Sequence, residues 1–339
     1  MPVASIVVPV YNRAHIVGEA IASAQAQTLD DFEMVIADDG SSDGSYEVAA
    51  AYAAADPRIR LMRLAHGGVS AARNAAIEVI GNSDFIAFLD SDDLWLPEHL
   101  RRGVEALRRS IDADVYFSRV EIEQLKGEWP EERLAAQRRQ STAPIRCASR
   151  RLGDRMHFLD STSFLSATIS NEFFPVPSGI LIRKTAVHRS PWFRPDLHAH
   201  EDRELFLSLA ATGCNYVFDE EVHVRMRRFG DNLCWITDLM SERGKNWLQS
   251  SIAFGELKKS YCRTSRERAL VGKEIAEAAY LLAQNYAERF DLSNARSAYW
   301  KAIRHRTSYR EVKGLLAAML PIPLNRALRK VRDDRWGRT

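Results

Sequence analysis

Residues 32–44 read FEMVIADDGSSDG, an apolar run that ends in two adjacent aspartates and a turn rich in Gly and Ser. The run 32–37 has the length and composition of a buried strand. Similar runs recur in the first 120 residues, at 5–10, 59–64 and 85–89. Alanine-rich helical patterns separate them, at 16–25, 45–55 and 70–80. This alternation predicts an α/β fold, with a Rossmann-like, mostly parallel sheet flanked by helices.

The rest of the chain continues this pattern and then changes to helix. Residues 179–183, 216–218 and 222–226 are predicted strands, and 201–211 is a predicted helix. Residues 126–177 mix charge clusters with Ser/Thr stretches and predict irregular chain with short helices, able to wall a pocket. From 239 to 306, apolar residues recur at helical spacing. We therefore predict a principal domain over 1–238 and a helical C-terminal region with a basic tail over 239–339.

Composition excludes several classes of protein. With 339 residues, 46% of them hydrophobic and 27% charged, the chain can bury a sizeable core and carry an appendage. A formal net charge of +2 argues against a nucleic-acid partner. The four cysteines are scattered without a C-x-x-C pair, which favours reduced thiols over a disulfide framework or a zinc site.

The N-terminus and the apolar runs together predict a cytoplasmic location. The chain enters a strand-like segment without a basic leader or a cleavage pattern, so we expect no secretion. No apolar run approaches the roughly 20 residues that span a bilayer. The first strand is not followed by G-x-G-x-x-G, which argues against a dinucleotide-binding dehydrogenase.

Acidic residues follow two of the predicted strands, where ligands bind in sheets of this kind. Asp38 and Asp39 precede a Gly/Ser turn, a pattern that equally suits an ordinary turn or helix cap. Asp90, Asp92 and Asp93 put three carboxylates within four residues, which is costly unless a cation offsets their charge. Mg²⁺ or Mn²⁺ binds through one or two carboxylates plus substrate phosphates. The metal interpretation is therefore favoured over a helix cap before Pro97.

Four segments in this order and at this spacing resemble a known family. VVPVYN at 7–12, ADDGSSDG at 37–44, HGGVSAARN at 66–74 and FLDSDD at 88–93 are similar to the inverting glycosyltransferases of family 2, which have the GT-A fold. The resemblance covers roughly residues 3–235 and implies that the domain 1–238 is catalytic. It also implies a nucleoside-diphosphate sugar as donor, with a UDP-sugar favoured, and Mg²⁺ or Mn²⁺ as cofactor.

The same resemblance assigns roles on the donor side. It implies that Asp92 ligates the metal and that Asp93 is secondary. The remaining residues are expected to contact the nucleotide sugar: Asp38 at the base with Asp39 beside it, Asp90 on the ribose side with Ser91, Arg73 near phosphate or base edge, and Pro9, Tyr11 and Asn12 in the nucleoside pocket.

On the acceptor side, Glu201 and Asp202 resemble the acidic pair of the family. We expect Asp202 to be the general base and Glu201 to support it, against the alternative that both cap a helix. The segment 222–232 departs from the family's frequent Arg-x-His pattern. Arg225, Arg227 and Arg228 stand there and are candidates to neutralise a diphosphate, while His223 is expected to be a strand residue.

Together these features predict transfer of a sugar, with inversion, to a hydroxyl of a saccharide or lipid-linked saccharide, in bacterial surface polysaccharide or glycoconjugate synthesis. Two alternatives remain open: a sugar nucleotidyltransferase, and a catalytically dead module that binds nucleotide sugars. Residues 321–339 carry six Lys and Arg against two Asp, directly after an apolar segment. They predict peripheral contact with the inner membrane face, or else a solvated tail.

Overall fold

The computed structural model describes residues 1–124, 143–189, 192–229 and 238–320. The chain divides into two compact units. The first comprises Met1–Leu197 with Glu201–Asn232, and the second comprises His198–His200 with Leu233–Thr339. The predicted basic tail, 321–339, lies outside the described residues.

The first unit begins with four parallel strands joined by helices. The strands are β1 (Ala4–Val10), β2 (Phe32–Asp38), β3 (Ile59–Arg63) and β4 (Phe85–Phe88). The intervening helices are α1 (Val17–Gln25), α2 (Ser45–Ala55) and α3 (Val69–Val79). Every residue of β1 is buried, as expected for a parallel strand covered on both faces. The predicted α/β start of the fold is confirmed.

Further strands extend this sheet on the side of β4. They are β5 (Asp93–Trp95), β6 (Val115–Gln124), β7 (Arg150–Gly153), β8 (Met156–Leu159), β9 (Ile180–Arg183) and β10 (Tyr216–Arg228). The order is β3-β2-β1-β4-β9-β6-β10-β8-β7, with β5 paired to β10. β9 is antiparallel to both β4 and β6, whereas β10 is parallel to β6. The sheet is therefore mixed: β1 to β4 are parallel to one another, and the rest combines antiparallel pairs with the parallel pair β6–β10.

Helices of the first unit beyond α3 flank this second half of the sheet. They are α4 (His99–Arg109), Ser161–Ile169 and Glu201–Ala211, with 3₁₀ turns at Pro177–Gly179 and Lys184–Arg189. The helix predicted at 201–211 is confirmed with those bounds.

Two predictions about this half differ from the structure. The separate strands expected at 216–218 and 222–226 form one strand, β10, whose register shifts between Asp219 and Val224. Asp219 is fully buried there and accepts hydrogen bonds from Arg102 and Tyr116, which fixes the irregularity. The stretch expected to be irregular contains the hairpin β7–β8, while 125–142 lies outside the described residues.

The second unit is helical in the region predicted to be so. Its helices are Glu242–Tyr261, Ser265–Glu288, Leu292–His305 and Tyr309–Met319. A capping box of Thr264 and Glu267 starts the second of these. The fully buried Lys258 pairs with Glu274 at 2.9 Å, so its charge is compensated inside the unit. Among the described residues, no helix combines the length and apolar composition that crossing a bilayer requires.

Burial of His99 predicts acid sensitivity of the first unit. Its ring packs near Trp95 and Tyr116, and neither ring nitrogen has a hydrogen-bond partner among the described residues. Burial, assisted by the charge of His223, lowers the pKa of His99 to about 3. Because the unfolded chain binds this proton near pH 6.5, the stability contributed by neutral His99 is lost as pH falls from there towards 3.

We expect the wild-type free energy of unfolding to fall by about 3–5 kcal/mol over this pH window through His99 alone. His99→Leu should flatten that part of the profile in urea titrations at a series of pH values. The exposed His198→Leu is the matched control and should leave the slope unchanged. An equal slope in wild type and His99→Leu would contradict the assignment.

Candidate active site

The candidate site lies at the carboxyl ends of β1, β2 and β4. Three loops begin there, after Val10, after Asp38 and after Phe88. Adjacent parallel strands bring these ends to one edge of the sheet, as the sequence predicts. The predicted donor-side residues therefore occupy one region.

The loops after β1 and β2 are tied together by hydrogen bonds. The Asn12 backbone N–H donates to Ser41 Oγ at 3.0 Å, and the Ser42 N–H donates to Asn12 Oδ1 at 2.9 Å. Asn12 has φ of +51°, a conformation that Asn tolerates better than most residues. Tyr11 is 43% exposed and stacks on His66, with ring centroids 4.2 Å apart. Pro9 is buried within β1.

Asp38 is the last residue of β2 and is fully buried. Its Oδ1 accepts the Ser41 N–H at 3.0 Å, but Oδ2 has no hydrogen-bond partner among the described residues. A buried acceptor left unpaired costs free energy, which a ligand N–H donor can recover. This suits the base contact predicted for Asp38.

Asp39 fixes the loop that leads into α3. Its Oδ1 accepts the Gly67 N–H at 2.8 Å, and Oδ2 accepts the Gly68 N–H at 2.9 Å and contacts His66 Nδ1 at 2.8 Å. Gly68 has φ of +89°, which a residue with a side chain rarely adopts. Both carboxylate oxygens are engaged, so Asp39 has a structural part that the sequence did not predict.

The acidic turn between β4 and β5 is anchored by Ser178, which sequence reasoning missed. Ser178 Oγ accepts the Asp90 N–H at 3.1 Å and donates to Asp93 Oδ2 at 2.6 Å. The Ser178 carbonyl accepts the Trp95 indole N–H at 2.6 Å. The only sequence signal for Ser178 is its position just before a predicted strand. Its contacts could not be predicted from local patterns, because they join residues more than 80 positions apart.

Arg227 holds the same turn from β10. Its Nε donates to the Asp92 carbonyl at 2.8 Å, its backbone N–H donates to Asp93 Oδ1 at 3.2 Å, and its Nη1 pairs with Glu19 at 2.5 Å. It is buried and holds the turn in place, and the expectation that its guanidinium neutralises a diphosphate stays a prediction.

The other basic residues of β10 differ from Arg227. Arg225 is half exposed and lies 3.7 Å from Glu121, so its charge is already paired at the surface. Arg228 acts electrostatically on Asp92 and Asp93 and is the member of the set that remains a candidate at the donor phosphates. His223 lies buried in β10, as expected of a strand residue.

The acids of the turn are electrostatically strained. Burial and the neighbouring Asp90 raise the pKa of Asp92, although Arg13 and Arg228 oppose the rise. Burial, Asp92 and Asp90 raise the pKa of Asp93 well above its usual value. Ser91 is also buried. A cation at Asp92 would relieve this repulsion, because opposite charge favours the ionised carboxylate.

Arg73 joins the acidic turn to the acidic pair on the acceptor side. Its Nη2 donates to Asp90 Oδ1 at 2.6 Å and its Nη1 to Glu201 Oε1 at 2.9 Å. The guanidinium also lies 4.7 Å from the ring centroid of Phe193. Arg73 is 3% exposed and meets carboxylates here, and the contact with phosphate or base edge expected of it stays a prediction.

Charges around this contact are mutually dependent. Burial by itself lowers the pKa of Arg73, but the charges of Asp90 and Glu201 outweigh it and raise the pKa. Burial and Asp202 raise the pKa of Glu201, and Arg73 opposes that rise. Asp202 is less buried than Glu201, and its Oδ1 accepts the Arg203 N–H at 2.8 Å. Asp202 is thus the more exposed acid of the pair.

Solved structures resemble this fold. TarS 1–349 of S. aureus, solved in complex with UDP-GlcNAc, superposes with a TM-score of 0.60 at 14% identity, over 94% of this chain and 90% of that one. The mannosyltransferase PcManGT of Pyrobaculum calidifontis, solved with GDP-Man and Mn²⁺, gives a TM-score of 0.55 at 16% identity, over 100% and 88%. The mixed sheet with a helical C-terminal region is the GT-A class of fold.

The family model for "Glycosyl transferase family 2" matches residues 5–187. The chain therefore belongs to glycosyl transferase family 2, a class of sugar-transferring enzymes. Among curated relatives, the succinoglycan biosynthesis protein ExoW of Rhizobium meliloti (strain 1021) is 39% identical over 119 residues, 34% of this chain. That match spans only 37% of the length of ExoW.

Removal of Arg73 is expected to destabilise the first unit strongly. Arg73→Met leaves Asp90 and Glu201 without their shared cation, and breaking a buried pair of this kind costs about 3–5 kcal/mol. Arg109→Met is the control, since its partners lie at the surface and should contribute less than about 1 kcal/mol. Urea unfolding at neutral pH measures both; similar losses in the two variants would contradict the role given to Arg73.

Proposed function

We propose that this protein transfers a sugar from a nucleoside-diphosphate donor to an acceptor hydroxyl by single displacement with inversion. The observation that carries the proposal is the bridge of Arg73 between Asp90 and Glu201. It brings the acidic turn suited to a donor diphosphate beside the acidic pair suited to an acceptor. A module that only binds nucleotide sugars would not need the acidic pair Glu201 and Asp202.

A divalent cation fits the donor side. Within the described ranges 1–124, 143–189, 192–229 and 238–320, no group of three or more His, Cys, Asp or Glu side chains is arranged to hold a metal. Mg²⁺ and Mn²⁺ commonly bind through one or two carboxylates with the rest of their shell from substrate phosphates and water. Asp92, with its raised pKa, would be the protein ligand, and Asp90 would face the ribose. When bound, the ion supplies charge neutralisation at the leaving diphosphate.

Asp202 is the proposed general base. The acceptor oxygen forms a bond to the anomeric carbon while the bond from that carbon to the diphosphate oxygen breaks, and the acceptor proton passes to Asp202. Attack opposite the leaving group inverts the anomeric centre. Glu201 is paired with Arg73 and so supports Asp202 by fixing the start of the helix Glu201–Ala211. Arg228 contributes positive charge near Asp92.

A UDP-sugar is the favoured donor, supported by the likeness to TarS bound to UDP-GlcNAc. PcManGT, solved with GDP-Man, shares the fold as well, so the screen described below includes nucleoside diphosphates other than UDP. The name of ExoW supports a saccharide or lipid-linked saccharide acceptor in surface polysaccharide or glycoconjugate synthesis. We place the reaction in the cytoplasm, at the inner membrane face where such acceptors are presented.

A thermal-shift screen of nucleoside diphosphates, with and without Mn²⁺, tests the donor site. A ligand at about a hundredfold excess over its dissociation constant stabilises the native state by about 2.7 kcal/mol. We expect one diphosphate, UDP first, to raise the melting temperature only with metal, and Asp92→Ala to abolish the shift. Asp31→Ala, an exposed acid elsewhere, should retain it. If no diphosphate shifts the melt with any metal, the donor site is absent.

Release of nucleoside diphosphate tests the base. Asp202→Asn should lower kcat about 10²–10⁴-fold, because proton transfer is lost, while the diphosphate-dependent thermal shift stays unchanged. Asp196→Asn is the control, because it changes an exposed acid shortly before the same helix. This variant should release nucleoside diphosphate at the wild-type rate. A full rate in Asp202→Asn would remove this residue from the mechanism.

A further inference from the structure

The last described helix, Tyr309–Met319, exposes an apolar stripe. Tyr309, Val312, Leu316 and Met319 are 80%, 36%, 60% and 59% exposed. Their spacing of three, four and three residues places them on one face of the helix. These four side chains are called the 309–319 stripe below. Exposed apolar residues aligned in this way mark an interaction surface more often than scattered ones do.

The helix cannot rotate to bury the stripe. The adjacent face of the helix is already buried through Glu311, Leu315 and Ala318, which are 1%, 6% and 2% exposed. A Cβ at Gly314 would lie 2.4 Å from the Tyr299 ring, so the two helices approach closely at this point. Arg310 pairs with Glu277 and Glu311, which further fixes the orientation. Among the described residues, the other helices of this unit therefore leave the stripe uncovered.

The segment 292–319, which forms the last two described helices, has an excess of basic residues. Residues 292–319 contain six Lys and Arg and a single acid, Glu311, which is buried and paired. Lys313 lies beside the stripe, with Nζ 6.0 Å from the centroid of the Tyr309 ring. Trp300 in the preceding helix is 53% exposed and is followed by Lys301, also exposed. An apolar stripe with basic flanks is the pattern of helices that lie in the interface of an anionic bilayer.

From this pattern we infer that the 309–319 stripe docks on an anionic lipid surface, with its apolar side chains in the acyl boundary and the basic residues at the headgroups. A second copy of this chain is a poorer occupant, since pairing two stripes would bring like charges together. The inference concerns a surface in the helical unit. It holds or fails independently of sugar transfer, because vesicle binding is measured without donor or acceptor.

Co-sedimentation of the full chain with lipid vesicles tests the inference. Wild type should pellet with vesicles of phosphatidylcholine and phosphatidylglycerol, bind pure phosphatidylcholine more weakly, and dissociate partly as salt rises. Val312→Ser combined with Leu316→Ser should lower the partition coefficient by about tenfold or more, because buried apolar area is lost. Ile111→Ser removes an 88% exposed apolar residue of the first unit and should bind as wild type.

Three results would overturn the inference. One is equal vesicle binding by the double variant and wild type. A second is binding that depends only on residues 321–339, seen as loss in a chain ending at Leu320 while the double variant still binds. The third is a wild type that is dimeric in light scattering and a double variant that is monomeric, with neither protein binding vesicles. That result would assign the stripe to contact with a second copy. Unchanged melting temperatures show that the substitutions leave the fold intact.

Discussion

The buried guanidinium of Arg73 is the contact on which the arrangement of the site depends. It pairs with Asp90 17 positions away and with Glu201 128 positions away, and so connects the turn after β4 with the start of a helix late in the chain. Inside the protein such a contact is maintained because either partner alone would leave a buried charge uncompensated. The positions of the acidic turn and of the pair Glu201–Asp202 are therefore coupled through one side chain.

The acidic turn shows how the fold holds like charges together. Ser178 binds it through Asp90 and Asp93, and Arg227 binds it through Asp93 and the carbonyl of Asp92. These contacts fix the turn while leaving Asp92 with a raised pKa, a local cost that the fold sustains. Strain of this kind is found where a site is organised in advance for a charged ligand. Arg73 and Arg227 thus hold the site together through direct contacts. Arg228 instead acts on Asp92 and Asp93 through its positive charge.

Each of the two units carries one of the two proposals. The first carries the family 2 sequence match and the acids of the proposed reaction. The second is a set of helices whose last member presents apolar and basic side chains. If acceptors are carried on lipid, a lipid-binding surface would hold the enzyme where its substrate is concentrated, in the manner of a second binding module.

Local sequence determined much of the first unit. The strands and helices before residue 90 follow from apolar period and length, and the acids at 38–39 and 90–93 follow from their position after strands. β5, α4 and β6 were not predicted, and β10 was divided in two, because burial of Asp219 inside a continuous strand depends on partners in α4 and β6. The family, and with it the fold class, was also readable from four short segments.

Tertiary structure alone decided which of these charged side chains are engaged by distant parts of the chain. From sequence, Asp39, Arg73 and Arg227 could not be distinguished from Asp38 and Arg228 as candidate ligand contacts, since all are charged residues in motifs. Folding engages the first three with backbone amides and opposite charges drawn from distant parts of the chain. It likewise placed Ser178 under the acidic turn. The physical reason is that hydrogen bonds and ion pairs are made through space, whereas sequence patterns report only the few residues on either side.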